Sequence, residues 1–159
     1  MSSSVPPSTT LWPSSMSWPS NTLWLVDGYN VLHACLLKQR EVQWWQPAYQ
    51  QLVCTWLRAF AAQNAVRVVF DSSATRTRWT PADDVLDVRH TADADEFLVQ
   101  TVALEAPLRP VCIVTADRAL ADRSRARGAN WQRPWTFRDT ISNASPPSTV
   151  RVNDNPSAL

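Results

Sequence analysis

The chain has 159 residues, a length that suits one ordinary domain and leaves no room for two sizeable cores. A net charge of +1, with 45% apolar and 18% charged residues, excludes both a disordered polyelectrolyte and a strongly basic coat for nucleic acid, so any such binding must rest on local clusters. No apolar run approaches the ~20 residues that span a bilayer, which excludes an integral membrane helix.

Residues 1–22 contain eight serines, four prolines and no charged side chain, a composition that buries too little to offset ordering entropy and predicts disorder. Within it a tripeptide is doubled, Trp12-Pro13-Ser14 and Trp18-Pro19-Ser20. It reads as plain low-complexity sequence or, less simply, as a linear motif offering two aromatic anchors to a protein partner. The first cationic side chain is Lys38, so the basic region of a secretory signal and the arginines of a transit peptide are both missing, and the cytoplasm is the expected compartment. The folded unit is expected over 23–141. A second disordered tail, 142–159, follows, with Pro146, Pro147 and Pro156 among Ser, Asn and Asp.

The apolar run Leu23-Trp24-Leu25-Val26 ends at Asp27-Gly28, as a buried strand meeting a turn does. Leu52, Val53, Trp56, Leu57 and Phe60 then form a helical stripe. Strands are predicted at Val66 to Phe70, ending at Asp71, more weakly at Val85 to Val88, and at Val111 to Val114, closing on Thr115-Ala116-Asp117. Ala94, Phe97, Leu98, Thr101 and Val102 mark another helix, and Arg118 to Arg127 a third, ended by Gly128 where a left-handed C-cap belongs. Strands alternating with helices imply an α/β fold with a mostly parallel sheet covered on both faces. Cys35, Cys54 and Cys112 sit in apolar stretches without metal-ligand spacing and are read as reduced core residues.

In such a sheet the strand C-termini share one rim, so Asp27, Asp71 and Asp117 emerge together. Thr91-Ala92-Asp93-Ala94-Asp95-Glu96 opens a helix facing the same rim, with Asp95 the expected inward member and Asp93 or Glu96 as companions. Each aspartate alone has an ordinary explanation as a cap, a dipole complement or a turn residue. Gathered, they repel unless protonated or bridged by a cation, and an all-oxygen site suits Mg²⁺ or Mn²⁺. Such an ion serves phosphodiester hydrolysis. His33 and His90 are too few and too far apart in sequence for a zinc site.

Val26-Asp27-Gly28-Tyr29-Asn30-Val31 resembles the opening motif of NYN domains of the YacP-like branch of the PIN-like nuclease superfamily. The likeness continues through Val69-Phe70-Asp71, Ala94-Asp95-Glu96-Phe97-Leu98, Val114-Thr115-Ala116-Asp117-Arg118 and Arg127-Gly128-Ala129, covering about Leu23 to Asp139. The resemblance implies a Rossmann-like, three-layer α/β/α fold whose acidic rim binds Mg²⁺ or Mn²⁺ and cuts RNA. Asp27 and Asp117 would be direct or water-mediated ligands, Asp95 the ligand from the helix, Asp71 a further acid, and Asn30 a residue orienting a ligand or touching substrate. The Asp93/Asp95 doublet leaves the helix ligand open, and the segment Ser72 to Asp84 lacks the family's glycine-bearing loop.

Substrate contacts are expected from arginine, which outnumbers lysine fourteen to one. Arg76, Arg78 and Trp79 form a basic and aromatic loop just past Asp71, suited to holding a single-stranded backbone and stacking a base. Arg118 is a further candidate within a run that continues through Arg123, Arg125, Arg127, Arg133 and Arg138, unless these pair with acids such as Asp122 and Asp139. Trp131 and Trp135, beside Arg133, either stack bases or cover the sheet edge, with packing the preferred reading. A haloacid dehalogenase-type phosphatase fails because position 29 is Tyr; an adhesion module fails because Asp71-Ser72-Ser73 follows the second strand. The remaining rivals to a metal-dependent ribonuclease are a non-catalytic RNA-binding or adaptor protein with a PIN-like fold and a DNA-directed nuclease of the same superfamily. One ion or two, an internal or a terminal cut, and the oligomeric state stay open.

Overall fold

The computed structural model describes residues 18–37, 43–44, 46–72, 81 and 84–144. Five strands, β1 (Leu23–Asp27), β2 (Ala65–Asp71), β3 (Asp87–Thr91), β4 (Val111–Val114) and β5 (Asn130–Gln132), form one sheet. All described pairings are parallel, in the order β3-β2-β1-β4-β5. The chain steps outward from β1 through β2 to β3, then returns to the other flank of β1 for β4 and β5. That reversal puts the topological switch point between the carboxyl ends of β1 and β4, where open α/β sheets bind ligands.

Alternation along the strands divides the core in two. Trp24 and Val26 of β1, Val66, Val68 and Phe70 of β2, and Cys112 and Val114 of β4 point to one side. There they meet α1 (Gly28–Val31), the π-helical turn Leu32–Leu36 that continues it, α2 (Pro47–Ala61) and α5 (Pro134–Ala144). Leu23, Leu25, Val69, Val111 and Ile113 point to the other side, covered by α3 (Ala94–Glu105) and α4 (Arg118–Ala126). The first side is aromatic: Trp24 meets Phe60 and Phe137 with ring centroids 5.4 Å away, and Phe60 meets Phe137 at 5.5 Å. Such pairs add about 0.5–1.5 kcal/mol each beyond their buried area. The architecture is the expected three-layer α/β/α fold.

The boundaries differ from expectation in physical ways. Trp18 packs edge-on against Trp24 at 4.8 Å and Thr22 is buried, so the folded unit begins before residue 23. The second Trp-Pro-Ser copy therefore supplies a core contact instead of a free anchor; the first lies outside the described residues. At the other end α5 runs on past Ile141 to Ala144. The weak strand expected at 85–88 lies at Asp87–Thr91, because β3 is a half-exposed edge strand made largely of polar residues. Cys54 and Cys112 are buried, with burial pushing the Cys54 thiol up to about 12, whereas Cys35 is only half-buried, in the π-helical turn. Among the described residues no helix is long and apolar enough to cross a membrane.

Candidate active site

Asp27 ends β1, and the next residue is a glycine for a steric reason: a Cβ at Gly28 would lie 2.5 Å from the Phe70 ring. Only a residue without a side chain lets α1 start this close to β2, and this start holds Asp27 and Asn30 at the rim. Val26 and Val114 are register partners, so the residues following β4 come level with Asp27. Thr115, fully buried, uses its hydroxyl twice: Oγ1 donates to Asp27 Oδ2 at 3.1 Å and accepts from the Asp117 backbone N–H at 3.0 Å. Asn30 reaches across from α1, its Oδ1 accepting from the Ala116 N–H at 2.7 Å. The β4–α4 turn is thus tied from two sides, and Asp117 caps α4 by accepting from the Leu120 N–H at 3.2 Å.

On the other side of β1, α3 starts with its own cap. Asp93 accepts from the Glu96 N–H at 3.1 Å, and Glu96 is engaged by Arg123 at 2.7 Å, which holds its carboxyl below the usual range. Both companions of Asp95 thus have local duties, and Asp95 is the member of the doublet that shares the field of the strand-end acids. The Asp27 carboxyl is raised to about 7, first by burial and then by Asp95, Asp117 and Asp71, with the Thr115 hydrogen bond opposing. The Asp95 carboxyl is also raised, first by burial, then by Asp117 and Asp93, with Arg123 opposing. Four carboxylates from three strand ends and one helix start therefore act on one another, at the switch point of the sheet.

The donor set is all oxygen, which suits a hard divalent cation, and the Asp27 carboxyl is raised first by its burial and then by the acids around it. Among the described residues no three His, Cys, Asp or Glu side chains stand as a ready cage for an ion. A hard divalent cation at this rim would be held through one or two carboxylates with water completing the shell, as Mg²⁺ commonly is.

The model of the YacP-like NYN domain family matches residues 24–157. The chain belongs to the YacP-like NYN domain family. This nuclease-like domain also has counterparts among solved structures. The crystal structure of Rae1 (YacP) from Bacillus subtilis matches with a TM-score of 0.61 and 22% identity, over 76% of this chain and 75% of that one. A tryptophan-to-leucine mutant of the same protein matches with a TM-score of 0.60 and 21% identity, over 77% of each chain. These likenesses support the fold. No curated protein sequence matches the chain.

Of the residues expected at the site of this YacP-like domain, the structure brings Asp27, Asp71, Asp95 and Asp117 into one field and places Asn30 beside them. Asp93 is exposed and caps α3, and it acts on Asp95 without figuring among the acids that raise Asp27. Arg118 is exposed at the first turn of α4, next to Asp117. Arg76, Arg78 and Trp79 lie outside the described residues. Arg123 pairs with Glu96 on α3, so the expected partners Asp122 and Asp139 do not hold it. His90 stacks on Phe70 at 5.7 Å. Thr115 was not singled out by its sequence; its signal is a hydroxyl closing a buried strand two residues before an acid.

Proposed function

We propose that this YacP-like domain is a metal-dependent ribonuclease that hydrolyses phosphodiester bonds in single-stranded RNA, with the cytoplasm as its compartment. The observation that carries this reading is Asp27, a carboxyl at the switch point raised to about 7 by burial and by three further acids. An RNA binder gains nothing from a negative rim facing phosphates, whereas a hydrolase needs one to hold a cation. Mg²⁺ or Mn²⁺, held directly by one or two of Asp27, Asp117 and Asp95 and through water by the rest, would supply an acidified water and charge neutralisation at the phosphate. The chain's own residues prepare that site. Thr115 fixes one oxygen of Asp27, Asn30 and Thr115 lock the turn that carries Asp117, and Asp71 acts on Asp27 from the β2 end. Arg118, with Arg76, Arg78 and Trp79, is the proposed grip on the RNA.

The test is incubation of a labelled single-stranded RNA and its deoxy counterpart with Mn²⁺ and the purified protein, beside Asp27→Asn and Asp117→Asn variants, at one stated salt concentration. Cleavage of the ribo-oligonucleotide by the wild type alone is expected. Equal cleavage by all three proteins would mean another site or a contaminant, and preference for the deoxy strand would favour a DNA-directed nuclease. A non-catalytic RNA-binding or adaptor role is the second reading, and the observation on its side is the lack of a ready three-acid cage among the described residues. Calorimetric titration with Mn²⁺ separates the two, because an adaptor has no need of the ion.

A further inference from the structure

The acids repel the phosphates they are proposed to cut, so the strand must be held by cations beside them, and the described structure offers such a place on the β5 flank. Arg133 follows β5 directly and stands at the same rim as Asp117, with its guanidinium carbon 4.5 Å from the centre of the Trp131 ring. Arg125 of α4 approaches the same ring at 6.0 Å. The ring is fixed: its Nε1–H donates to the Thr115 carbonyl at 2.8 Å, and one part of it packs on the aliphatic core. Through Thr115 the indole is two hydrogen bonds from Asp27.

Charge distinguishes this flank from the other arginine pairs. Arg67 and Arg89 share the carboxylate of Asp87, and Arg109 and Arg123 pair with Glu105 and Glu96. Among the described residues neither Arg125 nor Arg133 has such a partner. The Arg125 Nε is buried without a hydrogen-bond acceptor among the described residues. A guanidinium stacked on an indole keeps its N–H edge available in the ring plane, the geometry that grips a phosphate with two bonds. Arg133 is exposed, so that edge faces solvent.

We propose that Arg133, seated on Trp131 and backed by Arg125, is a phosphate-binding shelf that seats single-stranded RNA on the β5 side of the acidic rim. This rests on the ribonuclease reading and adds the route the strand takes from the site. Arg133 positions substrate; it does not touch the reacting atoms. Arg133→Ala removes the contact, Arg133→Lys keeps the charge but not the planar fork, and Arg109→Ala removes a cation from the loop before β4, at the far rim.

The experiment measures binding of a fluorescent oligouridylate to the full chain, by anisotropy across a salt series, and steady-state cleavage with Mn²⁺. Arg133→Ala is expected to weaken binding about five- to twentyfold, to lower the slope of log K against log salt by about 0.7, the share of one phosphate in a single strand, and to raise KM with kcat within twofold. Arg133→Lys should fall between, and Arg109→Ala should match the wild type. If Arg133→Ala binds and cleaves as the wild type does, the shelf is overturned while the ribonuclease reading stands. Loss of thermal stability alone, with binding intact, overturns it equally and makes Arg133 a cover for the sheet edge. A wild-type protein that neither binds nor cleaves the oligouridylate overturns both.

Discussion

Asp87 and Asp27 belong to the same sheet, yet the protein treats their carboxyls in opposite ways. Asp87 opens the edge strand β3, and its partial burial alone would raise it. Arg67 and Arg89 reach it at 2.8 and 2.7 Å and hold it below the usual carboxylate range. Asp27 closes the central strand β1 among Asp95, Asp117 and Asp71; burial first and then these acids raise it to about 7, against the Thr115 hydroxyl. The first acid is neutralised by the chain itself. The second stands in a field of further acids, and that contrast is what the proposed function draws on to separate a carboxylate that holds the fold from one placed for chemistry.

The contrast is broken most severely by removing charge at the rim. Asp27→Asn and Asp117→Asn should each lower RNA cleavage on the order of a hundredfold or more, the scale of losing one electrostatic element of a site. Asparagine is the informative replacement at 117 because it still caps a helix, so α4 keeps its start and a loss of rate reports on charge. Circular dichroism should show an unchanged fold, and a variant that retains the wild-type rate would place the chemistry elsewhere.

A second effect appears in stability without metal. The folded Asp27 carboxyl titrates near 7 against an ordinary 3.8. Below about pH 4 both folded and unfolded chains hold the proton and nothing is lost. Between about pH 4 and pH 7 the unfolded chain releases it while the folded one retains it, so stability falls, reaching a deficit of a few kcal/mol above pH 7. Asp27→Asn should therefore be the more stable protein at pH 8 and lose that advantage by pH 4, as read from paired thermal melts. Mn²⁺ should raise the wild-type melting temperature more at pH 8 than at pH 5, where a proton competes for Asp27. Melts of the two proteins that run parallel across this range would show that the Asp27 carboxyl is not raised.

A third way to disturb Asp27 is steric. Alanine at Gly28 would drive its methyl into Phe70, which is fully buried and flanked by Tyr29 at 5.0 Å and His90 at 5.7 Å. The ring has little room to yield, so Gly28→Ala should cost about 1–3 kcal/mol by chemical denaturation. It should also reduce cleavage, because α1 carries Asn30 and its start adjoins Asp27. Wild-type stability would mean that α1 can lift from β2 without harm.

Much of this was open to reading from residue order. β1, β2 and β4 are short apolar runs closed by Asp or by Thr-Ala-Asp, and the stripes of α2 and α3 follow helical period, so the parallel sheet and the shared rim of Asp27, Asp71 and Asp117 could be anticipated. Edge elements could not. β5 is Asn130-Trp131-Gln132, held by its pairing with β4 and by the indole bond to Thr115, neither of which has a local signature. α5 was hidden for a similar reason: its buried Phe137 and Ile141 stand among polar residues, and its stability comes from the aromatic cluster it caps. Asp93 and Asp95 differ by a side-chain direction two positions apart on a helix start, which capping geometry decides and composition does not.

The smallest expected effect falls on the other member of the comparison. Asp87→Asn removes the acceptor of two guanidinium groups on a strand whose pairing with β2 runs from Arg67 to Asp71. The Asp87 side chain is 38% exposed, so solvent screens the pair, and the loss at pH 7 should be under about 1 kcal/mol. Its sign with pH is opposite to that of Asp27. A lowered carboxyl stabilises the folded state above its unfolded value and loses that contribution as pH falls through the folded one, so wild type and Asp87→Asn should converge below about pH 4. Cleavage by Asp87→Asn should stay within twofold of the wild type. A larger drop in rate, at unchanged stability, would mean that the Arg67-Asp87-Arg89 group steers substrate as well as pinning the sheet edge.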